Sequence, residues 1–350
     1  MIDQSKTTFN WGIVGPGTIA EKFAEDLVAV PGAARYAVCS RDEGRAAAFA
    51  QTYGFAKHFG DMDAFLADDA LDIVYIATPH PFHVDQAIAA IEAGKAVLIE
   101  KPITMTADEA RRIEAATKAS NVFVMEALWS RFLPAIQRAK AIVDSGQLGP
   151  VIRAEGILHF HRPFEAEHRL FNPATGGGVL LDLGVYPLSI ARFLLGPMTL
   201  ESAQWRAAPT GVDKHATLTL KAAAGPVSIR CGFEEDRADE GDNTFTIFGE
   251  KQTLRIDRHF LRTESVTVWD KPRDAVPSAR GLIGRVLHKS GLGTGKTQRF
   301  ARSTTGLNFQ AAAVQYALAN GMTSHPTMPL HQSIEVMKII EAALAHENRV

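Results

Sequence analysis

From residue 11 to residue 126, short apolar runs alternate with longer stretches in which apolar residues recur every three or four positions. The runs are 11–14, 35–39, a weaker one at 55–59, then 73–77, 96–100 and 122–126. Several are β-branched or nearly continuous in apolar character, the pattern of strands buried on both faces of a parallel sheet. Between them Ile19, Phe23 and Leu27 recur at a spacing of four, and Pro31-Gly32 stops that helix. Segments 42–53 and 83–93 read as further helices ending at Gly54 and Gly94. Thr106, with Glu109 three residues on, is a capping box for the helix after it. Six strands joined by crossover helices predict an α/β fold whose N-terminal part is a doubly wound, Rossmann-type parallel sheet.

Beyond about residue 130 the rhythm changes. An amphipathic segment, 134–145, ends at Gly146. Strand-like runs follow at 151–161, 200–205, 216–221, 227–233, 243–248, 253–256 and 265–269. Strands linked by short turns predict a C-terminal α+β domain with a largely antiparallel open sheet. The chain closes on a helix with Leu330, Ile334, Met337, Ile340 and Leu344 along one face. The expected domains are therefore 1–130 and 131–350, and no internal repeat is visible.

Composition narrows the picture by exclusion. With 46% hydrophobic and 22% charged residues among 350, collagen-like, mucin-like and disordered readings drop out. Lys and Arg number 37 against 39 Asp and Glu, a formal net charge of −2, which excludes a nucleic-acid binder by bulk charge. Charge by halves is less even: residues 1–130 carry a net −7 and residues 131–350 a net +5. The stretch 270–302, with eight basic and two acidic residues, supplies more than that excess. Cys39 and Cys231 lack companions for a disulfide framework or zinc site, which favours a reducing compartment. The polar N-terminus has no signal-peptide core, and the most apolar window, 179–195, is interrupted by Asp182 and Arg192 and is short for a bilayer. A cytoplasmic protein without membrane partners is expected.

Candidate chemistry begins at Gly15-Pro16-Gly17-Thr18-Ile19-Ala20, after the first strand and at the start of the first helix. The first glycine permits the turn, the second lets backbone approach a pyrophosphate, and Ala20 keeps the helix close to the sheet. Dinucleotide binding is the expectation. The second strand ends in Cys39-Ser40-Arg41, where an NAD-preferring protein would usually place an acid. Arg41 offers a fork for a 2′-phosphate, with Ser40 as a small donor and Arg45 one turn on, so NADP is expected over NAD.

The fifth strand ends in Glu100-Lys101-Pro102, which places a lysine where parallel strands present their ligands. Much later, Gly176-Gly177-Gly178 leads into Asp182 and Tyr186, four apart and on one helix face if the segment from residue 179 is helical. Singly, these residues read as well as a surface charge, a first-turn acid and a core tyrosine.

Together they make the chain resemble the glucose–fructose oxidoreductase/inositol dehydrogenase (Gfo/Idh/MocA-type) family over nearly its whole length. The resemblance rests on the glycine loop, Thr78-Pro79 followed by His83, Glu100-Lys101-Pro102, and the triple glycine leading to Asp182 and Tyr186. The segment Met125-Glu126-Ala127-Leu128-Trp129-Ser130-Arg131-Phe132-Leu133-Pro134 and the run from Arg169 to Pro173 are similar to its dihydrodiol dehydrogenase and NADP-dependent sugar dehydrogenase branch. Tyr186 stands where the inositol dehydrogenase pattern has a histidine, as in that branch.

The resemblance implies that Lys101 and Tyr186 carry proton transfer, that Asp182 orients substrate or tyrosine, and that the bond before Pro102 is cis. A phenol, with an unperturbed pKa of about 10, is a poor base at neutral pH unless a cation favours the phenolate, and Lys101 is the candidate cation. Thr78, Pro79, His80, His83 and Glu100 are then expected around the cofactor, with His80 and His83 lining the crevice or capping a helix. Trp129, Arg131 and Phe132 are expected to hold a polyol, with core plus a salt-bridged arginine as the other reading. One of His159 and His161, together with Arg169, is expected at the substrate. No metal is expected, because no carboxylate or cysteine is spaced to complete a site. Relatives associate through the open face of the second sheet, which implies a homodimer.

The run Ser290-Gly291-Leu292-Gly293-Thr294-Gly295-Lys296-Thr297 imitates a P-loop but lacks its first glycine and a preceding buried strand. The basic residues around it, Arg280, Arg285, Lys289, Lys296, Arg299 and Arg302, read as a solvated insertion. The leading reading is an NADP-dependent oxidoreductase acting on a sugar, polyol or cyclic diol. A cofactor-using glycoside hydrolase and a dinucleotide-sensing regulator share the fold and stand as alternatives.

Overall fold

The computed structural model describes residues 7–270 and 295–346. By its internal contacts the chain divides into two compact units, one of residues 1–132 and 303–337, the other of residues 133–302 and 338–350.

In the first unit, strands β1 (Phe9–Val14), β2 (Ala33–Cys39), β3 (Lys57–Phe59), β4 (Ile73–Ile76), β5 (Ala96–Ile99) and β6 (Val124–Glu126) form one sheet. Its order is β3-β2-β1-β4-β5-β6 and every pairing is parallel. Trp11, Ile13, Tyr75, Val97 and Leu98 are wholly buried, as strands covered on both faces require. The order reverses between β1 and β4, the topological switch point at which doubly wound sheets bind ligands.

The helices start and stop near where the sequence puts them, except that the first ends at Leu27, four residues before Pro31. Helix α1 (Thr18–Leu27) follows the glycine loop, and α2 (Glu43–Tyr53) is capped by the Asp42 carboxylate and stops at left-handed Gly54. The short α3 (Met62–Leu66) and then α4 (His83–Glu92) precede α5 (Ala107–Ser120), whose Thr106–Glu109 capping box is formed on both sides.

In the second unit, helix α6 (Pro134–Asp144) precedes strand β7 (Val151–His161). A π-helical turn, Leu180–Gly184, runs into α7 (Val185–Leu195). Strands β8 (Met198–Ala207), β9 (Asp213–Ala222), β10 (Gly225–Glu234), β11 (Phe245–Gly249), β12 (Thr253–Ile256), β13 (Ser265–Trp269) and β14 (Lys296–Arg299) complete an eight-stranded sheet. Its order is β14-β13-β12-β11-β7-β10-β9-β8, antiparallel throughout except where β7 lies parallel to β10. Helix α7 packs close on this sheet at Gly156, where a Cβ would stand 3.1 Å from the Cβ of Pro187.

Three findings depart from the sequence reading. First, residues 303–337 pack into the first unit and not with the rest of the span 131–350. Helix α8 (Leu307–Ala319), which the sequence reading missed, carries the reason. The buried Asp26 carboxylate of α1 accepts the N–H groups of Thr305, Gly306, Leu307 and Asn308 at 2.7–3.3 Å and so serves as the cap at the start of α8. The Trp11 indole of β1 donates to Gln315 on the same helix (3.0 Å). The closing helix, α9 (Leu330–Leu344), forms as its apolar face predicts.

Second, the apolar helical stretch runs from Pro173 to Leu195, 23 residues, long and apolar enough to cross a membrane by length and composition. The stretch is therefore not too short to span a bilayer. Most of the window, 94%, is buried inside the protein, so its apolar surface is already covered by core.

Third, β14 is a polar edge strand with no apolar run to announce it. The P-loop-like run up to Thr294, and Arg280, Arg285 and Lys289, lie outside the described residues. Of the basic residues that are described, Lys296 pairs with Asp270 (2.9 Å) and Arg302 with Glu264 (3.3 Å).

Candidate active site

The glycine loop leaves β1 with Gly15 at φ +90°, a conformation costly for any side chain. A Cβ there would also meet the Thr78 methyl at 2.7 Å, so β1 and the segment after β4 close up only around a glycine. At Gly17 the opposite holds, because a Cβ would meet nothing within 4 Å. Gly17 is the N-cap of α1 and contributes no side-chain cap. The first-turn N–H groups of α1 thus lie at the positive end of the helix dipole with no side-chain cap from Gly17, which suits a pyrophosphate.

At the end of β2, Ser40 is half-buried and Arg41 is exposed, its guanidinium over the exposed ring of Phe82 at 5.3 Å. The nearest acid, Asp42, is engaged in capping α2 through the Arg45 N–H (3.1 Å), while Arg45 Nη2 reaches the Pro16 carbonyl (3.3 Å). Arg45 thus touches the glycine loop, and Arg41 touches Phe82. Burial, with the Asp61 charge, pushes the Cys39 thiol up to about 11, so this cysteine is inert as a nucleophile.

Thr78 and Pro79 follow β4, and the Thr78 hydroxyl donates to Gln86 (2.6 Å). His83 departs from expectation. It is wholly buried, with Nε2 2.8 Å from the Thr78 carbonyl and Nδ1 3.1 Å from the Pro102 carbonyl, so its ring reaches backbone and not a cofactor. His80 is also buried, edge-on to His83 at 5.8 Å. The Lys101–Pro102 bond is cis, as the resemblance implied. Glu100 is buried, and the Tyr75 hydroxyl donates to its Oε1 (2.5 Å).

Arg131 is a second departure. It is 0% exposed and donates to the Thr327 carbonyl (2.9 Å) and to Gln332 (2.6 Å), which leaves no face for a substrate. The core reading holds for it, and the reason is nearby Glu126, a fully buried carboxyl that needs a cation. Burial pushes Glu126 up to about 7 despite Arg131. Phe132 is buried against His325, while Trp129 is half-buried.

In the second unit the triple glycine is an internal packing device. Gly177 and Gly178 donate to the carbonyls of Asn172 and Leu170, and a Cβ on Gly177 would sit 2.8 Å from both carbonyl oxygens. The Asp213 carboxylate at the start of β9 accepts the Leu180 N–H (2.6 Å) and caps the turn that carries Asp182. Burial pushes Asp213 up to about 7 against that hydrogen bond. Asp182 and Tyr186 are both buried, and Arg169 stands 3.7 Å from the Asp182 carboxylate, so the structure brings these two expected residues together. His168, unforeseen, lies in the same electrostatic neighbourhood; burial and the charges of Arg162 and Arg169 hold it below its ordinary value.

His159 is tied into the sheet. Its Nδ1 lies 2.5 Å from Glu234, whose other oxygen takes the Nε2–H of His215 at 3.2 Å. Arg206 donates to Nδ1 of His215 (2.8 Å), which fixes that tautomer. Burial opposes it, but hydrogen bonds from His159 and His215 hold the Glu234 carboxyl below its ordinary value. Gly232 leaves the gap in which these groups meet, since a Cβ there would lie 2.8 Å from both Glu234 and His159. His161 is half-buried and its N–H donates to Glu240 (3.0 Å).

Asp213, Glu126 and Glu234 escaped the sequence reading because a buried carboxylate has no periodic signature. For Glu126 a signal existed: it stands in an apolar strand end five residues before Arg131.

Two family models match the chain. One is described as an oxidoreductase family with an NAD-binding Rossmann fold and matches residues 9–128. The other is the GFO/IDH/MocA C-terminal domain and matches residues 136–255. Among curated relatives, mouse (Mus musculus) trans-1,2-dihydrobenzene-1,2-diol dehydrogenase is 32% identical over 340 residues, covering 95% of each chain. D-xylose 1-dehydrogenase (NADP(+)) of Hypocrea jecorina is 30% identical, covering 96% of this chain and 91% of the relative. Among solved structures, levoglucosan dehydrogenase with NADH and levoglucosan has a TM-score of 0.80 at 21% identity, covering 96% of this chain and 97% of that one. At that identity the likeness speaks for the fold alone.

Proposed function

The chain belongs to the GFO/IDH/MocA oxidoreductase family, and on that premise we propose that it is an NADP-dependent dehydrogenase of a sugar, polyol or cyclic diol hydroxyl. The observation that carries the reading is Lys101 at the carboxyl end of β5, in the same unit as an uncapped glycine-loop helix with Arg45 against the loop. The described residues fit a dinucleotide: open space lies before Gly17, and a Cβ at Gly15 would close the turn.

Bound there, the nicotinamide would supply the hydride acceptor. The chain's own groups do the rest. The first-turn N–H groups of α1 hold the pyrophosphate. Arg41, with Ser40 and Arg45, holds a 2′-phosphate, and the engagement of Asp42 as a helix cap favours NADP over NAD. Tyr186 takes the proton of the substrate hydroxyl, Lys101 assists it, and Asp182, balanced by Arg169, orients.

Similarity to a dihydrodiol dehydrogenase and to an NADP xylose dehydrogenase supports the substrate class. Two buried free cysteines suit a reducing, cytoplasmic setting, and the family resemblance supports a homodimer. The test follows absorbance at the reduced-nicotinamide band with D-xylose, other aldoses, inositols and trans-dihydrodiols, each with NADP and NAD. Turnover of at least one class with NADP is expected. Silence across the panel, with dinucleotide still bound, would leave the sensing reading; turnover without net NADPH would leave the hydrolase.

A further inference from the structure

In each of three successive residues, Lys101 to Ile103, one backbone polar group is met by a buried ionisable side chain. The Lys101 N–H donates to Oε2 of Glu100 (3.1 Å). The Pro102 carbonyl lies 3.1 Å from Nδ1 of His83, and the Ile103 N–H donates to Oε1 of Glu126 (3.0 Å). The three side chains are at most 7% exposed.

Each is rooted in a different element. Glu100 is held by Tyr75 of β4, His83 opens α4 and also reaches the Thr78 carbonyl, and Glu126 ends β6 with Arg131 as its cation. Burying ionisable groups is expensive, and apolar residues of equal volume would fill the same space at less cost. What apolar residues cannot do is hold a backbone carbonyl and a backbone N–H in fixed directions.

We propose that His83 and Glu126 are positioning residues for Lys101, holding the carbonyl of Pro102 and the N–H of Ile103 so that the lysine backbone has one orientation. The proposal rests on the reading of Lys101 as a catalytic residue. His83 adds a link to the cofactor side. A neutral imidazole has one N–H, so in a given tautomer it donates either to the Pro102 carbonyl through Nδ1 or to the Thr78 carbonyl through Nε2.

The test separates reach from charge at Glu126. Glu126→Gln keeps an acceptor oxygen at the same reach without the charge, and Glu126→Asp keeps the charge but withdraws the oxygen by one methylene. Glu126→Asp is expected to lower kcat by about 10–100-fold, the penalty of a small misplacement, with Kd for NADP unchanged. Glu126→Gln is expected to stay within about threefold of wild type in kcat. Hydrogen exchange at the Ile103 amide should accelerate by about tenfold or more in Glu126→Asp and not in Glu126→Gln. His83→Leu, which deletes both carbonyl contacts, is expected to follow the aspartate variant. Lys101→Ala is measured in parallel. If it keeps turnover, the reading of Lys101 is wrong; if it loses turnover and any other order of the two Glu126 variants is found, the positioning role alone is overturned.

Discussion

Gly178 and Asp213 compete for one volume: a Cβ on Gly178 would lie 2.1 Å from Oδ1 of Asp213. The glycine, at φ +122°, lets a strand carboxylate come over the start of the turn that carries Asp182 and leads into Tyr186. Gly178→Ala combines a strained φ with displacement of that cap, at a cost of roughly 2–4 kcal/mol. Thermal scans should show a Tm several degrees lower, and kcat should fall with it. An unchanged Tm would mean the carboxylate is not needed there.

Asp213 also makes stability depend on pH in a definite direction. Its folded pKa, about 7, lies above the ordinary carboxylate value because the group is buried. The unfolded chain therefore releases this proton first, so the contribution is whole below pH 4 and is lost as pH rises toward 7. Asp213→Asn cannot lose a proton. The Tm of wild type minus that of Asp213→Asn should decline between pH 4 and 7 and then level off. A difference that rises over this window would contradict the assignment.

Arg131 distinguishes a core role from substrate contact. Arg131→Met leaves Glu126 buried without its cation and should cost roughly 3–5 kcal/mol in a denaturant titration. Protein that stays folded should keep the wild-type KM. A raised KM at unchanged stability would return Arg131 to the substrate.

For proton transfer, Lys101→Ala and Tyr186→Phe are each expected to lower kcat by about 10²–10⁴-fold, the weight of acid–base catalysis. Steady-state rates at saturating cofactor decide it, and near-wild-type turnover in both would remove the mechanism.

Arg41→Ala should raise Kd for NADP by about 10–100-fold and leave Kd for NAD nearly unchanged, since a charge-assisted hydrogen bond contributes about 1.5–3 kcal/mol. Equal loss for both cofactors would show that Arg41 serves the adenine and not the 2′-phosphate.

Much of this architecture is legible in the sequence for a physical reason. Strands buried on both faces must be apolar without a break, and Thr106 with Glu109 or Asp42 before α2 announce helix starts by local hydrogen bonds. The glycine loop is local in the same sense. What escapes is non-local. The carboxylate of Asp26 caps a helix about 280 residues away, and nothing around position 26 signals it. Helix α8 is apolar on most sides and shows no stripe. Arg131 and His83 have the composition of ligand-binding residues; only their burial shows that they hold backbone and side chains of their own unit.

The Asp26 cap also has a consequence for the order in which the protein is made. The second unit's sheet is encoded entirely between Val151 and Arg299, so all its strands have been synthesised before Thr305 appears. The dinucleotide unit begins first but closes late: its Asp26 carboxylate and Trp11 indole wait for partners near residues 305 and 315. Synthesis that stops at residue 302 would leave every strand of the parallel sheet made, but the α1 carboxylate with no N–H groups to receive.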